Sequence, residues 1–211
     1  MKYIESKNND IFKNIKKLLL KPKNRKNFKR FVVEGLKEIT LCLESNYNLI
    51  ELYVCSEIHN KKYDDLYFKY KATNLSIKLY KELSYKEKGD GFLAIFHSKE
   101  FNLDQLILPK NPFILVAESP EKPGNIGAIL RTADAAGIDA VIIANLKTEM
   151  YNPNIIRSSL GSVFSSQIGV GKTKEVIEFL KRNKIKIIST LIRNSIDYSS
   201  VKFTGPCAII I

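Results

Sequence analysis

From residue 112 onward the chain keeps repeating one pattern. A short, wholly apolar run is followed by a polar break, then by a stretch whose apolar positions recur every three or four residues. Phe113-Ile-Leu-Val-Ala117 is the first such run and predicts a buried strand. Pro120, Pro123 and Gly124 then force a loop. Asn125 stands where a helix N-cap belongs, and Ala128 to Ala136 is rich in helix formers, so a helix is predicted over 125–137. Ala140 to Ala144 predicts a second strand, and Pro153 to Leu160 the helix after it. A short apolar stretch, Gln167 to Val170, precedes a helix over Lys174 to Asn183. Strand Lys186 to Ser189 follows, and Cys207 to Ile211 is the last. Repeated strand–helix alternation with short loops predicts a parallel sheet with helices on both faces. The last strand is apolar throughout and is expected in the middle of that sheet.

The first hundred residues alternate less regularly. Ile11, Phe12, Ile15, Leu18 and Leu19 have helical spacing, with Lys on the other face, and Pro22 is expected to end that helix. Lys21 to Arg30 reads as a basic loop. Strand Phe31–Val33, helix Leu36–Ser45 and strand Leu49–Cys55 follow. Then come a helix over Tyr63 to Lys71, a strand over Ser76 to Tyr80, a turn at Gly89-Asp-Gly91 and a strand over Phe92 to His97. The organisation expected is a small α/β domain over 1–97, a linker over 98–111 and a parallel-sheet domain over 112–211. Internal repeats and low-complexity tracts are absent from the sequence.

Composition narrows the classes. With 45% hydrophobic and 27% charged residues, the chain reads as ordinary globular protein. No apolar run reaches the roughly 20 residues of a membrane helix, and the first residues lack the apolar core of a signal peptide. Cys42, Cys55 and Cys207 are scattered and read as buried thiols of a reducing, cytoplasmic compartment. No Cys pair has metal-ligand spacing, and two isolated His do not suggest a metal site. The usual dinucleotide, nucleoside-triphosphate and zinc motifs are all missing.

Charge points to a partner. The net charge is +12. Residues 11 to 30 hold nine Lys/Arg and no acid. A polyanion held by phosphate neutralisation is the natural inference, set against a general Lys-rich bias of the sequence. Lys23, Arg25, Lys26, Lys29 and Arg30 form the candidate RNA-backbone patch, with a solvated loop as the alternative.

The richest chemistry lies between residues 118 and 137. Strand, Pro/Gly loop and helix together place Glu118, Asn125 and Arg131 near the C-terminal edge of a parallel sheet, where ligands bind in open α/β folds. Glu118 is expected either to orient Arg131 through a charge-assisted hydrogen bond or to be a solvated carboxylate. Gly124 and Gly127 allow close backbone approach or simple helix packing.

Asn125-Ile-Gly127-Ala-Ile-Leu-Arg131-Thr-Ala133 resembles the first signature of the SpoU/TrmH family of RNA ribose methyltransferases, of the SPOUT class, with no departure from it. Phe31-Val-Val-Glu-Gly35, Asn152-Pro-Asn-Ile-Ile-Arg157-Ser-Ser-Leu-Gly161 and Thr204-Gly-Pro-Cys-Ala-Ile-Ile-Ile211 resemble three further family segments, in the family's order. The resemblance covers roughly residues 25–211. It implies a ribosomal-protein-like RNA-binding domain followed by a SPOUT (α/β knot) domain. It further implies S-adenosylmethionine-dependent 2′-O-methylation of a ribose in rRNA or tRNA by a cytoplasmic homodimer. Arg131 then becomes the key catalytic residue, with Asn125 beside it. Arg157, Ser158 and Ser159 are candidates for an RNA phosphate contact or a partner-subunit contact, with a solvated helix face as the alternative, and Thr190 and Leu191 lie where family members touch the cofactor's adenosine, with edge-of-sheet packing as the alternative. The family's Gly-x-Glu-Gly-x-Gly segment and the Asn-Val-Ser-Val-Ala-like signature after it are not in the 211 residues. The second domain is therefore expected to be truncated, and the alternative expectation is an RNA-binding protein or fragment without the cofactor site.

Overall fold

The computed structural model describes residues 2–59, 68–86 and 89–211. The described residues fall into two compact units. One comprises Met1–Lys99 with Tyr151–Ile156; the other comprises Glu100–Met150 and Arg157–Ile211.

The first unit is built on a mixed sheet. Its strands are β1 (Tyr3–Ile4), β2 (Arg30–Glu34), β3 (Leu49–Val54), β4 (Thr73–Leu75) and β5 (Phe92–His97), in the order β1-β4-β3-β5-β2. β5 runs antiparallel to both β2 and β3, while β1, β4 and β3 are mutually parallel. Helix α1 (Asp10–Leu20) buries the stripe read from its sequence: Phe12, Ile15, Leu18 and Leu19 pack with Val32, Tyr53, Leu75, Leu79 and Ile95. Each such side chain taken out of water contributes about 1.5–3 kcal/mol. Asn9 caps α1, its side chain accepting from the Ile11 N–H at 2.9 Å. Tyr151 completes the unit. Its ring stacks on Phe31 at 4.1 Å between centroids, and its hydroxyl accepts from the Lys99 N–H at 2.8 Å.

Two sequence expectations are corrected here. Lys21–Arg30 is not a loop, because Pro22–Phe28 forms helix α2. Pro22 ends α1 and also opens the next helix, since at N1 its missing N–H costs nothing and its φ is already helical. Ser76–Tyr80 is not a strand. Ser76 is instead the N-cap of helix α4 (Ile77–Leu83), which follows α3 (Leu36–Glu44) in the described residues. The Ser76 hydroxyl accepts from the Leu79 N–H, and Leu79, Tyr80 and Leu83 are buried at helical spacing. The helix read over Tyr63 to Lys71 falls largely outside the described residues.

The segment Phe31-Val-Val-Glu-Gly35 closes a polar knot inside this unit. The Glu34 carboxylate accepts from the N–H groups of Tyr85 and Lys86 and from the Ser84 hydroxyl. Gly35 takes φ +102, where a side chain would be strained, and a Cβ there would collide with the Glu38 carboxylate and the Lys86 ammonium. Those two groups form an ion pair at 3.1 Å, with Glu38 buried.

The second unit is an all-parallel sheet of β6 (Phe113–Glu118), β7 (Ala140–Ala144), β8 (Ile168–Gly171), β9 (Lys186–Ser189) and β10 (Cys207–Ile210). Its order is β8-β7-β6-β10-β9, so the apolar last strand is interior, as its composition predicts. Helix α8 (Thr173–Arg182) packs Val176, Phe179 and Leu180 on Ile114, Val116, Ile142 and Ala208. Helix α5 (Pro123–Ala135) does not share that cluster and packs instead with the short helix α7 (Ser162–Ser165), which follows α6 (Pro153–Ser158). Helices therefore serve both faces. Residues 98–111, expected to link two domains, contribute Leu103, Leu106 and Leu108 to the core of this unit.

Candidate active site

A parallel sheet binds ligands beyond the C-terminal ends of its strands. In this sheet β6 and β10 are neighbouring interior strands. The chain leaves β6 toward β7 and reaches β10 from β9. The two strands are joined up to the rim, where the Glu118 N–H donates to the Ile211 carbonyl at 2.9 Å.

Glu118 sits on that rim with its orientation fixed. Its Oε1 accepts from Asn145 Nδ2 at 2.8 Å, from Ser119 Oγ at 2.9 Å and from Thr173 Oγ1 at 3.0 Å. Asn145 follows β7 directly and Thr173 opens α8, so the tips of three adjacent strands meet on one carboxylate. Ser119 and Asn145 both adopt left-handed φ, +51 and +50, a strained backbone of the kind found at functional sites. Burial raises the Glu118 pKa, but the hydrogen bonds from Ser119, Asn145 and Thr173, with the charge of Lys147, outweigh it and hold the carboxyl below its ordinary value.

A lowered folded-state value means that this network stabilises the protein fully above the unfolded pKa of about 4.3 and loses that contribution as pH falls through the lower folded value. The side chain is exposed, so the effect is small. Glu118→Gln is expected to flatten the loss of thermal stability between about pH 4.5 and 3. Melting curves of both proteins across that range check it, and parallel curves would contradict it.

Glu118 does not orient Arg131. Along β6 the side chains alternate, and Ile114 and Val116 face α8. Glu118 continues that face and bonds Thr173 of α8. Arg131 belongs to α5, which takes no part in the α8 cluster.

Helix α5 also starts earlier than the sequence suggests. Lys122 is the cap, Pro123 occupies N1, and Asn125 lies inside the first turn with its N–H donating to the Lys122 carbonyl. The fixed φ of Pro123 outcompetes the capping tendency of Asn125. The Asn125 side chain is thereby released and exposed. Ile126, Gly127, Leu130 and Ala133 are buried, whereas Arg131 is exposed with no ion pair or hydrogen bond among the described residues. Gly124 is exposed, and a Cβ there would meet nothing in this chain. Its smallness serves nothing within the protomer.

The other sequence candidates separate. Arg157 is exposed. Ser159 is 1% exposed, and its carbonyl accepts from the Ser162 hydroxyl at 2.7 Å, so it braces the α6–α7 turn and cannot touch RNA directly. Leu160 and Gly161 both take left-handed φ, +53 and +91, so the helix stops at Ser158 and does not reach Leu160. Thr190 and Leu191 lie at the tip of β9, and the Thr190 N–H and hydroxyl both donate to the Ile210 carbonyl at 3.0 Å. Leu191 and Ile192 are exposed beside it. An apolar surface next to strand-tip backbone groups suits a purine ring, whose faces are apolar and whose edges hydrogen-bond.

In the basic segment, Lys23, Lys26 and Lys29 are exposed and Arg30 half-exposed. Arg25 is not part of any outward patch. It is 4% exposed, and its Nη1 donates to the Leu18 and Leu19 carbonyls at 2.5 and 2.8 Å. These carbonyls belong to the last turn of α1, where helical acceptors lack partners, so burial of Arg25 satisfies them. Asn145 and Thr173 escaped the sequence reading. Their only signal was position, just beyond an apolar strand and at a helix start. No group of three or more His, Cys, Asp or Glu among the described residues forms a metal site, and none of their helices is long and apolar enough to cross a membrane.

Comparison with known proteins places the fold. Residues 112–211 match the model of the SpoU rRNA methylase family, and residues 8–94 match the MRM3-like substrate binding domain. Bacillus subtilis (strain 168) 23S rRNA (guanosine(2553)-2′-O)-methyltransferase RlmP is 28% identical over 211 residues, which is 100% of this chain and 82% of that protein. A 23S rRNA (uridine(2479)-2′-O)-methyltransferase of Streptomyces viridochromogenes is 26% identical over 86% of this chain and 67% of its own length. A crystal structure of an RNA 2′-O ribose methyltransferase superposes with TM-score 0.85 at 31% identity, covering 99% of this chain and 81% of that one. The matched fold is that of the SPOUT methyltransferases. The chain belongs to the SpoU rRNA methylase family.

Proposed function

We propose that the protein transfers a methyl group from S-adenosylmethionine to the 2′-hydroxyl of a ribose in ribosomal or transfer RNA. One observation carries this reading. Arg131 presents an uncommitted guanidinium on the exposed side of α5, within an unbroken match to the family signature. When bound, S-adenosylmethionine supplies an electrophilic methyl carbon on its sulfonium. Thr190 and Leu191 would hold its adenosine at the β9 tip.

Arg131 supplies a planar guanidinium. It serves as a fixed cation beside the attacking hydroxyl and the neighbouring phosphate, where it lowers the cost of the developing alkoxide while the hydroxyl proton passes to solvent. Asn125, one and two-thirds helical turns earlier, offers both a donor and an acceptor to position the ribose. Arg157 adds a further cation for the phosphate backbone.

The protein is proposed to work as a homodimer in the cytoplasm. The exposed small residues Gly124 and Ala135 of α5 leave room for a second chain beside Arg131, and a solution mass near 24.1 kDa, that of one chain, would count against it. The three buried, unpaired thiols suit a reducing compartment.

Lys23, Lys26, Lys29 and Arg30 provide the phosphate contacts of the first unit. Replacing all four with Glu is expected to reduce the slope of log affinity against log salt by roughly 3. RNA titrations between about 50 and 200 mM salt check this, and an unchanged slope would remove the patch.

A further inference from the structure

Helix α2 exposes more than charge. Phe28, its last residue, is 55% exposed, with no ring partner among the described residues. Lys29 follows in the left-handed conformation, φ +48, and the chain then turns into β2 at Arg30. Phe28 therefore sits on the corner of a tight helix-to-strand junction. The Ser98 N–H donates to the Lys29 carbonyl at 2.9 Å, and His97 pairs with Arg30 in the ladder, so the corner is pinned from both sides. Arg25, one turn before Phe28, is buried against the end of α1 and fixes the helix from below. The ring is thus an exposed apolar face on a rigid mount.

Charge complementarity selects the occupant. Lys23, Lys26, Lys29 and Arg30 surround the ring in sequence, and residues 11 to 30 contain no acid. An apolar protein partner would have to desolvate these cations without compensation. A polyanion that also carries flat apolar faces satisfies both features at once, and single-stranded nucleic acid is that chemistry: phosphates for the cations, a base for the ring. A duplex offers phosphates but keeps its bases stacked on each other.

We propose that Phe28 is a stacking platform for an unpaired base of the RNA substrate, with Lys23, Lys26 and Lys29 holding the flanking phosphates. This rests on the RNA-modifying reading above and adds that the first unit selects a single-stranded or looped region.

The sequence contains no Trp, so Phe28→Trp creates a single fluorescent reporter at the site. The full chain is titrated with a fluorescein-labelled, unstructured RNA of about a dozen nucleotides and with the same sequence as a duplex. Phe28→Ala is expected to weaken single-strand binding by about tenfold or more and to leave duplex binding and the salt slope unchanged. Phe28→Trp is expected to retain wild-type affinity, with its emission quenched by the single strand and not by the duplex. Equal single-strand affinity for Phe28→Ala and wild type, or an emission that ignores the single strand, overturns the platform while leaving the RNA reading intact. A wild-type chain that binds neither RNA overturns both.

Discussion

Arg131→Ala is expected to slow methyl transfer to RNA by about 10²–10³-fold, the usual effect of removing one preorganised charge from the transition state. RNA affinity should change far less, because many phosphate contacts lie elsewhere and the ground state makes little use of a single guanidinium. Neighbouring α5 residues Ile126, Leu130 and Ala133 are buried and hold the helix on the sheet, so removing the exposed Arg131 leaves the packing untouched. Arg131→Lys should recover only part of the rate, since an ammonium cannot bridge hydroxyl and phosphate with a planar fork. Single-turnover methylation alongside equilibrium RNA binding separates the two effects. An alanine variant with the wild-type rate would remove Arg131 from the chemistry.

The second large effect concerns stability. Arg25→Ala is expected to destabilise the first unit by about 3 kcal/mol, because two charge-assisted hydrogen bonds are lost and the Leu18 and Leu19 carbonyls are left buried without their donors. The melting temperature should fall by roughly 6–12 °C. Lys23→Ala and Lys26→Ala, whose side chains are exposed on the same helix, should melt within a degree or two of wild type. A thermal melt that left Arg25→Ala unchanged would contradict its structural role. One helix of alternating cations thus divides its labour: Arg25 inward for the fold, the lysines outward for the ligand.

That division was not legible in the sequence. Five cations in eight residues read as one solvated run, and only the partnership with the end of α1 distinguishes Arg25. Pro22 misled in a related way. As a helix breaker it ends α1, but it also opens α2, and both readings fit the same residue. At Ser76–Tyr80 the alternation of Ile77, Lys78 and Leu79 satisfies a strand period over three residues, too short a window to reveal that Leu79, Tyr80 and Leu83 share a helical face. The second unit was far more legible. Phe113–Ala117, Ala140–Ala144 and Cys207–Ile210 are wholly apolar because both their faces are covered, which gives a strand signal without competition.

The candidate site shows the same boundary. Arg131 and Asn125 are nominated by one local segment that resembles a family signature. The Glu118–Asn145–Thr173 network is not, since its members are 27 and 28 residues apart in sequence and meet only when three strands align their tips. Of the two alternatives for Glu118, pairing with Arg131 is not seen, for a reason that strand alternation carries: the carboxylate is on the α8 face, and Arg131 is on a helix outside that cluster.

The central claim is chemical, and one measurement addresses it. The purified protein is incubated with methyl-labelled S-adenosylmethionine and ribosomal RNA, and the RNA is then hydrolysed in alkali. A ribose 2′-O-methyl group blocks cleavage at its own phosphodiester, so label in an alkali-resistant dinucleotide is the predicted result. Label that appears only in mononucleotides, on a base, would contradict the account, as would RNA that remains unlabelled.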